Sequence, residues 1–284
     1  MRVQIAGLGV VGKAQAHLMR KLGHAVTGYD VKPVNFPEIQ VTNEPVTDAD
    51  LTFICPPEKA VPGVLDYLVK SKVHNPYVIK STIPPGTSQT LMKEYGVHIC
   101  HNPEFLREET AFEDVVDQKF VIIGECCHEH GDLLAEVYAP LGARIIRTQS
   151  NISETAKLVL NNYLSTLITF WNEVDKLCSI LKIETEDVAD IVKNDERVSE
   201  YGTSFFGQPF GGKCLPKDLN QLLTLCYSHG LTPKLFETIK EVNNELSVLE
   251  NNRRQMVAEE SEVNRQNDVK SRKKSSSLTN DERA

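Results

Sequence analysis

The first thirty residues constrain the fold more than any other stretch. Val3-Gln-Ile-Ala6 is short and apolar, Gly7-Leu-Gly9-Val-Val11-Gly12 follows, and Ala14, Ala16, Leu18, Met19 and Leu22 form a helical run closed by Gly23. Ala25-Val-Thr-Gly-Tyr29 resumes as a strand and ends at Asp30. A GxGxxG between a strand and a helix, with an acid about 20 residues on, marks a dinucleotide site. Gly7 permits the tight turn, Gly9 lets backbone approach a pyrophosphate at the helix N-terminus, and Gly12 lets the helix pack on the sheet. Asp30 can accept hydrogen bonds from an adenosine ribose, and its charge repels a 2′-phosphate, which selects NAD over NADP. The expected fold is α/β, a Rossmann-type doubly wound parallel sheet followed by an all-helical domain with a long central helix.

Three more strands are expected at Asp50-Leu-Thr-Phe-Ile-Cys55, Pro76-Tyr-Val-Ile-Lys80 and Gly96-Val-His-Ile-Cys100, each running into polar or proline-bearing residues. Ligands of open parallel sheets gather at that carboxyl edge. Crossover helices are expected near 60–71 and 86–94; strands 119–123 and 143–146 flank another near 128–140. After the third strand, Asn102-Pro-Glu104-Phe-Leu-Arg107-Glu108-Glu109 carries three carboxylates and an arginine. Such a run is either a solvated loop or, at the ligand edge, a base and a cofactor contact supplied by Glu104 and Glu108. The residues alone leave both open.

Residues 1–148 thus read as a nucleotide-binding domain, 149–249 as a helical domain and 250–284 as a disordered tail. Ser150 or Ser153 can cap a helix to about Leu181, with Leu160, Leu164, Leu167, Ile168, Trp171, Val174 and Leu181 at spacings of three and four. Its length makes a homodimer plausible. Lys157 and Asn161 share one face of it, as a solvated pair or as a candidate electrophile or base. Helices near 185–194, 215–228 and 233–249 follow. From Asn251 the chain mixes charge with Ser and Asn, a composition that does not offset the entropy of ordering, although 253–263 can extend the last helix.

The long loop from Asp195 leads into Phe210-Gly211-Gly212-Lys213-Cys214-Leu215-Pro216-Lys217-Asp218. Pro216 suits the first turn of a helix, which puts Cys214 at a helix N-terminus between Lys213 and Lys217. All three neighbours favour a thiolate over a thiol of ordinary pKa about 8.5. The competing reading is a buried cysteine in a glycine turn. Seven cysteines without a repeated CxxC spacing indicate neither a zinc site nor a disulfide framework, and Cys126-Cys127 are adjacent and bridge poorly. A net charge of -8 argues against broad nucleic-acid binding. The absence of an apolar signal segment or membrane-length run points to no membrane and a reducing cytoplasm.

Taken together, residues 1–249 resemble the UDP-glucose/GDP-mannose 6-dehydrogenase family, with its UDP-glucose branch the nearer match. The resemblance rests on Gly7-x-Gly9-x-x-Gly12, Ser81-Thr82-x-Pro-x-Gly86-Thr87, Asn102-Pro-Glu104-Phe-Leu-Arg-Glu108, Lys157-x-x-x-Asn161 and Phe210-Gly-Gly-x-Cys214-x-Pro-Lys217-Asp218. It implies two NAD-dependent oxidations of a nucleotide-sugar C6 alcohol, with Cys214 capturing the aldehyde. It further implies oxyanion stabilisation by Lys157 and Asn161, proton handling by Asp218, and a hydrolytic water activated or positioned by Glu104. Thr82 would hold a water near C6. Gly7, Gly9, Val11, Gly12, Asp30, Lys32, Thr82, Glu108 and Lys217 would contact NAD. Glu104, Phe105, Leu106, Arg107, Glu108, Lys157 and Asn161 would line the sugar nucleotide, with Thr203, Ser204, Phe205, Phe206, Gly207 and Gly211.

Departures from the family pattern are Glu109 at a usual glycine, Lys32 ahead of the usual adenosine-contacting base, and a tail where a further α/β domain normally follows. Two rivals stand beside this reading. One is a two-domain β-hydroxyacid dehydrogenase, which needs no thiolate; the other is a non-catalytic NAD-binding subunit.

Overall fold

The computed structural model describes residues 1–73, 76–212 and 214–278. The chain divides into two compact units, Met1–Leu160 and Asn161–Ala284. In the first, strands β1 (Arg2–Ala6), β2 (Ala25–Tyr29), β3 (Gln40–Thr42), β4 (Leu51–Ile54), β5 (Tyr77–Ile79), β6 (Ile99–His101), β7 (Phe120–Glu125) and β8 (Arg144–Gln149) form one sheet. Its order is β3-β2-β1-β4-β5-β6-β7-β8. Chain order reverses between β1 and β4, which makes the cleft beyond their carboxyl ends the switch point of a doubly wound sheet.

The strands through β6 run parallel, but β7 pairs with β6 antiparallel at His101↔Gly124, and β8 follows β7. The sheet is therefore mixed at one end, a feature the strand patterns did not reveal. A short β3 and the helix α4 (Ala111–Asp117) also went unread in the sequence. Helices α1 (Val10–Lys21), α2 (Val61–Lys70), α3 (Thr87–Tyr95) and α5 (His128–Tyr138) match expected segments. Val3, Ile5, Leu51, Phe53, Val78 and Ile123 from the strands join Ala14, Leu18 and Met19 of α1 in one apolar core. Central parallel strands are buried on both faces, so they read as continuous apolar runs.

A single helix, α6 (Ser150–Leu181, 32 residues), runs through the boundary between the units. Ser150 does not cap it: its hydroxyl donates to Gly124 O at 3.0 Å. In the second unit, α7 (Thr185–Val192), α8 (Leu215–Ser228) and α9 (Lys234–Leu278) follow. Ile168, Phe210, Leu219, Leu223 and Ile239 form its core. Helix α9 continues through Leu278, past the point where the composition changes. One-turn pairs such as Arg254 to Glu250 at 2.9 Å support the helix beyond residue 249. Among the described residues, no helix is long and apolar enough to cross a membrane.

The glycine turn sets a test of this packing. A Cβ on Gly12 would lie 1.8 Å from the Gly7 carbonyl oxygen, a backbone atom that cannot swing aside. Gly12→Ala is expected to lower unfolding free energy by about 2–3 kcal/mol in urea denaturation. An unchanged midpoint would contradict this close approach.

Candidate active site

Candidate site residues gather at two places in the first unit and one in the second. In the first unit the glycine turn and Asp30 face the switch point. Gly7 has φ +95 and donates its N–H to Tyr29 O at 2.8 Å, tying the turn to the end of β2. Leu8 N and Lys32 N donate to Asp30 Oδ2 and Oδ1 at 2.7 and 2.9 Å, which fixes the carboxylate at that strand end. Gly9 is the N-cap of α1, so no side chain covers the first N–H groups, and a Cβ there would meet nothing within 4 Å. A cleft of about 720 Å³ opens beside them, lined by Tyr29, Asp30, Lys32, Gly63 and Tyr67. Uncapped helical N–H groups, an open glycine and a fixed acid fit NAD: pyrophosphate at α1, ribose at Asp30.

Farther along the carboxyl edge, Lys157 and Glu104 meet. Lys157 Nζ lies 3.5 Å from Glu104 Oε1 and 5.1 Å from the Phe105 ring centroid, and both charged side chains are mostly buried. Glu104 Oε2 also accepts from Leu106 N at 2.7 Å, which holds the carboxylate over its own loop. One neighbour, Lys80, had no role assigned from the sequence. Lys80, buried at the end of β5, donates to Asn102 Oδ1 at 3.0 Å. Burial pulls its pKa down to about 8 against the opposing pull of Cys55 and Glu104, and Lys157 adds to the lowering. Asn102 in turn donates to Ile122 O at 2.7 Å and accepts from Tyr138 Oη at 2.5 Å. A lysine closing a buried strand was the available signal for Lys80.

Helix α6 is anchored on this side by two further buried groups. His101 Nδ1 is 2.8 Å from Ser153 Oγ, and Glu154 accepts from Gly86 N at 2.5 Å and Ser88 N at 2.9 Å at the start of α3. Thr82 is half-buried in the turn between β5 and α3. The Arg107 guanidinium forks onto Asp114 at 3.0 and 2.6 Å. Glu108 is exposed.

In the second unit, Cys214 is the N-cap of α8 and is exposed. It is not the buried cysteine of the competing reading. Pro216 occupies the first turn, where its missing N–H costs nothing. Asp218, one turn on and buried, accepts from Asn161 Nδ2 at 2.5 Å and lies 2.8 Å from Lys217 Nζ. Asn162 donates to the Asp218 carbonyl at 3.3 Å. Lys213, expected on the other side of Cys214, lies outside the described residues.

The loop before α8 is pinned from behind. Phe210 exchanges two hydrogen bonds with the Asn243 amide, at 2.7 and 3.1 Å, and Asn172 donates to Gln208 O at 2.9 Å. Gly212 takes φ +71, a conformation that favours glycine. Thr203 is buried and donates to Glu200 O at 2.7 Å, whereas Ser204, Phe205, Gly207 and Gly211 are exposed and Phe206 is half-buried.

A sheet with this switch point and glycine turn is of the dinucleotide-binding class, and comparison with known proteins narrows it. Residues 43–142 match the NAD binding domain of the UDP-glucose/GDP-mannose dehydrogenase family, and residues 151–245 match its central domain. The UDP-glucose 6-dehydrogenase TuaD of Bacillus subtilis is 32% identical over 206 residues, covering 69% of this chain and 43% of that protein. The GDP-mannose 6-dehydrogenase of Pseudomonas aeruginosa is 29% identical over 279 residues, 78% of this chain and 63% of that one. A UDP-glucose dehydrogenase structure from Pyrobaculum islandicum superposes with a TM-score of 0.79 at 26% identity, over 86% of this chain and 68% of that one. The chain spans 43% and 63% of the two curated relatives. It belongs to the UDP-glucose/GDP-mannose dehydrogenase family, whose members are NAD-dependent nucleotide-sugar dehydrogenases.

His101 supplies a test. Burial lowers its pKa from 6.5 to about 3, so the fold holds it neutral while the unfolded chain protonates it. Its stabilising contribution is complete above about pH 6.5 and is lost as pH falls toward 3. His101→Gln is expected to lose about 3 kcal/mol less stability than the parent between pH 7 and pH 4, measured by denaturant unfolding. Equal losses would contradict a neutral buried imidazole.

Proposed function

We propose that this chain carries the catalytic set for oxidising the C6 alcohol of UDP-glucose twice, to the uronic acid. The observation that carries the reading is the first turn of α8: exposed Cys214, with buried Asp218 held by Asn161 and Lys217. When bound, NAD supplies the hydride acceptor for each oxidation.

Cys214 adds as a thiolate to the C6 aldehyde carbon, and the aldehyde oxygen takes up a proton, giving a thiohemiacetal. Loss of hydride and of that proton leaves a thioester. Water attacks the thioester carbon, the C–S bond breaks, and the acid leaves as the thiolate returns. Lys157 and Asn161 stabilise the oxyanion at C6, where a fixed ammonium and amide act most strongly on developing charge. Glu104 positions or activates the water, and Asp218 passes protons through a water to solvent. Thr82 holds a water near C6; Glu108 and Lys217 contact the cofactor; the loop from Thr203 to Gly207, with Gly211, lines the sugar nucleotide. The exposed Phe205 suits a loop that packs on a ligand.

A homodimer fits the same reading. Ile152, Val159, Tyr163, Phe170 and Leu177 are exposed on α6 at spacings of seven, four, seven and seven, a continuous apolar stripe. Replacing Tyr163 and Phe170 together with Glu is expected to convert dimer to monomer in sedimentation equilibrium. An unchanged mass would remove α6 from the interface.

The reaction itself is tested by the ratio of NADH formed to UDP-glucose consumed. Two NADH per sugar supports the proposal; one indicates a single-step hydroxyacid-type enzyme, and none with NAD still bound indicates a binding module. Cys214→Ser is expected to cut uronic acid formation at least about 100-fold with NAD affinity within about twofold of the parent. A fully active serine variant would sink the thioester route.

A further inference from the structure

Away from the glycine turn, four side chains with metal-binding atoms converge on one point. Cys126 and Cys127 follow β7, His130 lies in the first turn of α5, and His98 immediately precedes β6. Because β7 runs antiparallel to β6 with His101 opposite Gly124, the two cysteines fall opposite Ile99 and His98. That is where the parallel strands begin, the edge of the sheet opposite to the switch-point cleft.

Four of the six ligand-pair distances are short enough for one ion to bridge. Cys126 Sγ lies 3.9 Å from Cys127 Sγ, 3.2 Å from His130 Nδ1 and 3.7 Å from His98 Nδ1. Cys127 Sγ is 3.3 Å from His130 Nδ1, and all four ligand atoms lie within 4.8 Å of one another. Zinc bound tetrahedrally by two thiolates and two imidazoles needs about 3.8 Å between sulfurs, about 3.6 Å from sulfur to nitrogen and about 3.3 Å between nitrogens. The two cysteines and the α5 histidine are fixed by a strand end and a helix start, and the fourth ligand, His98, comes from a different segment.

The surroundings suit a cation held by thiolates. Cys100 Sγ lies 3.5 Å from Cys126 Sγ, in reach of a hydrogen bond to a ligand sulfur. Glu125 and Asp132 are engaged by Arg147, which holds these two carboxylates away from the ion. Three of the four ligand residues are half-buried and His98 is exposed, which leaves a path for the ion.

We propose that His98, Cys126, Cys127 and His130 form a closed, structural site for one divalent zinc-type cation. Four protein ligands leave no open position for a substrate, and the site clamps the start of β6 to the start of α5. Two thiolates and two neutral imidazoles cancel the charge of the ion, and their softness selects zinc over calcium or magnesium. The adjacent-cysteine spacing hides the site in the sequence, because His98 is brought to it by the antiparallel β6–β7 pairing.

The test uses the full chain without a histidine tag, stripped of metal and kept reduced, titrated with Co²⁺. One equivalent is expected to give the visible bands of tetrahedral cobalt with sulfur-to-cobalt charge transfer, which Zn²⁺ then abolishes. Zinc is expected to raise the melting temperature by roughly 5 °C or more. The double variant Cys126→Ser/Cys127→Ser should lose the charge-transfer bands. His98→Ala, at an exposed position, should weaken cobalt affinity at least tenfold with the melting temperature of the metal-free protein unchanged. NAD binding should persist in both variants, so this result is independent of the proposed reaction. Octahedral cobalt spectra, bands that survive the double variant, or a Cys100–Cys126 disulfide forming in place of metal uptake would overturn the proposal.

Discussion

Helix α6 buries a long row of polar side chains and leaves a row of apolar ones exposed. Ser153, Glu154, Lys157, Asn161, Asn162, Ser165, Thr169 and Asn172 are all buried along one side of it. Each brings polar atoms out of water, and every such atom needs a partner to avoid a desolvation cost of about 1–3 kcal/mol. The partners are specific: His101 for Ser153, the start of α3 for Glu154, Glu104 for Lys157, Asp218 for Asn161. Ser165 and Thr169 turn their hydroxyls back to the carbonyls four residues earlier. An ordinary surface helix buries an apolar stripe. In α6 the buried polar side fixes register, and candidate catalytic groups are drawn from that same side.

Burial also sorts the reactive groups. Cys55 lies at the carboxyl edge near the glycine turn, yet burial pushes its pKa up to about 12, which makes it an inert thiol. Cys214, by contrast, stands exposed at a helix N-terminus. Among the lysines, Lys80 is drawn down to about 8 and sits beneath the Glu104–Lys157 pair, so the local field there depends on a residue with no expected role. Removing any member of such a buried network leaves the others uncompensated.

Local patterns made most of the first unit legible. The glycine turn, Asp30 and the apolar strands announce themselves through short-range rules, and β1, α1 and β2 lie where those rules put them. Features that depend on pairing did not: the antiparallel β7, the three-residue β3 and the convergence of His98 on Cys126 arise from contacts remote in sequence. On α6 the spacing of Leu160 to Leu181 located the helix, but Leu181 is exposed and only Ile168 and Trp171 of that set are fully buried. Hydrophobic spacing locates a helix and not the side that faces inward when that side is polar. The motif Phe210 to Asp218 was legible as chemistry, while its support by Asn243 and Asn162 was not, because amides on distant helices carry no local signal.

The central claim is that Cys214 carries the sugar between the two oxidations. Rapid acid quench of the chain turning over UDP-glucose with NAD, followed by peptide mass analysis, tests it most directly. The account predicts a UDP-sugar acyl group on the peptide bearing Cys214, lost in Cys214→Ser. Uronic acid accumulating with no adduct on that peptide at any quench time, or with an adduct on another residue, would contradict it.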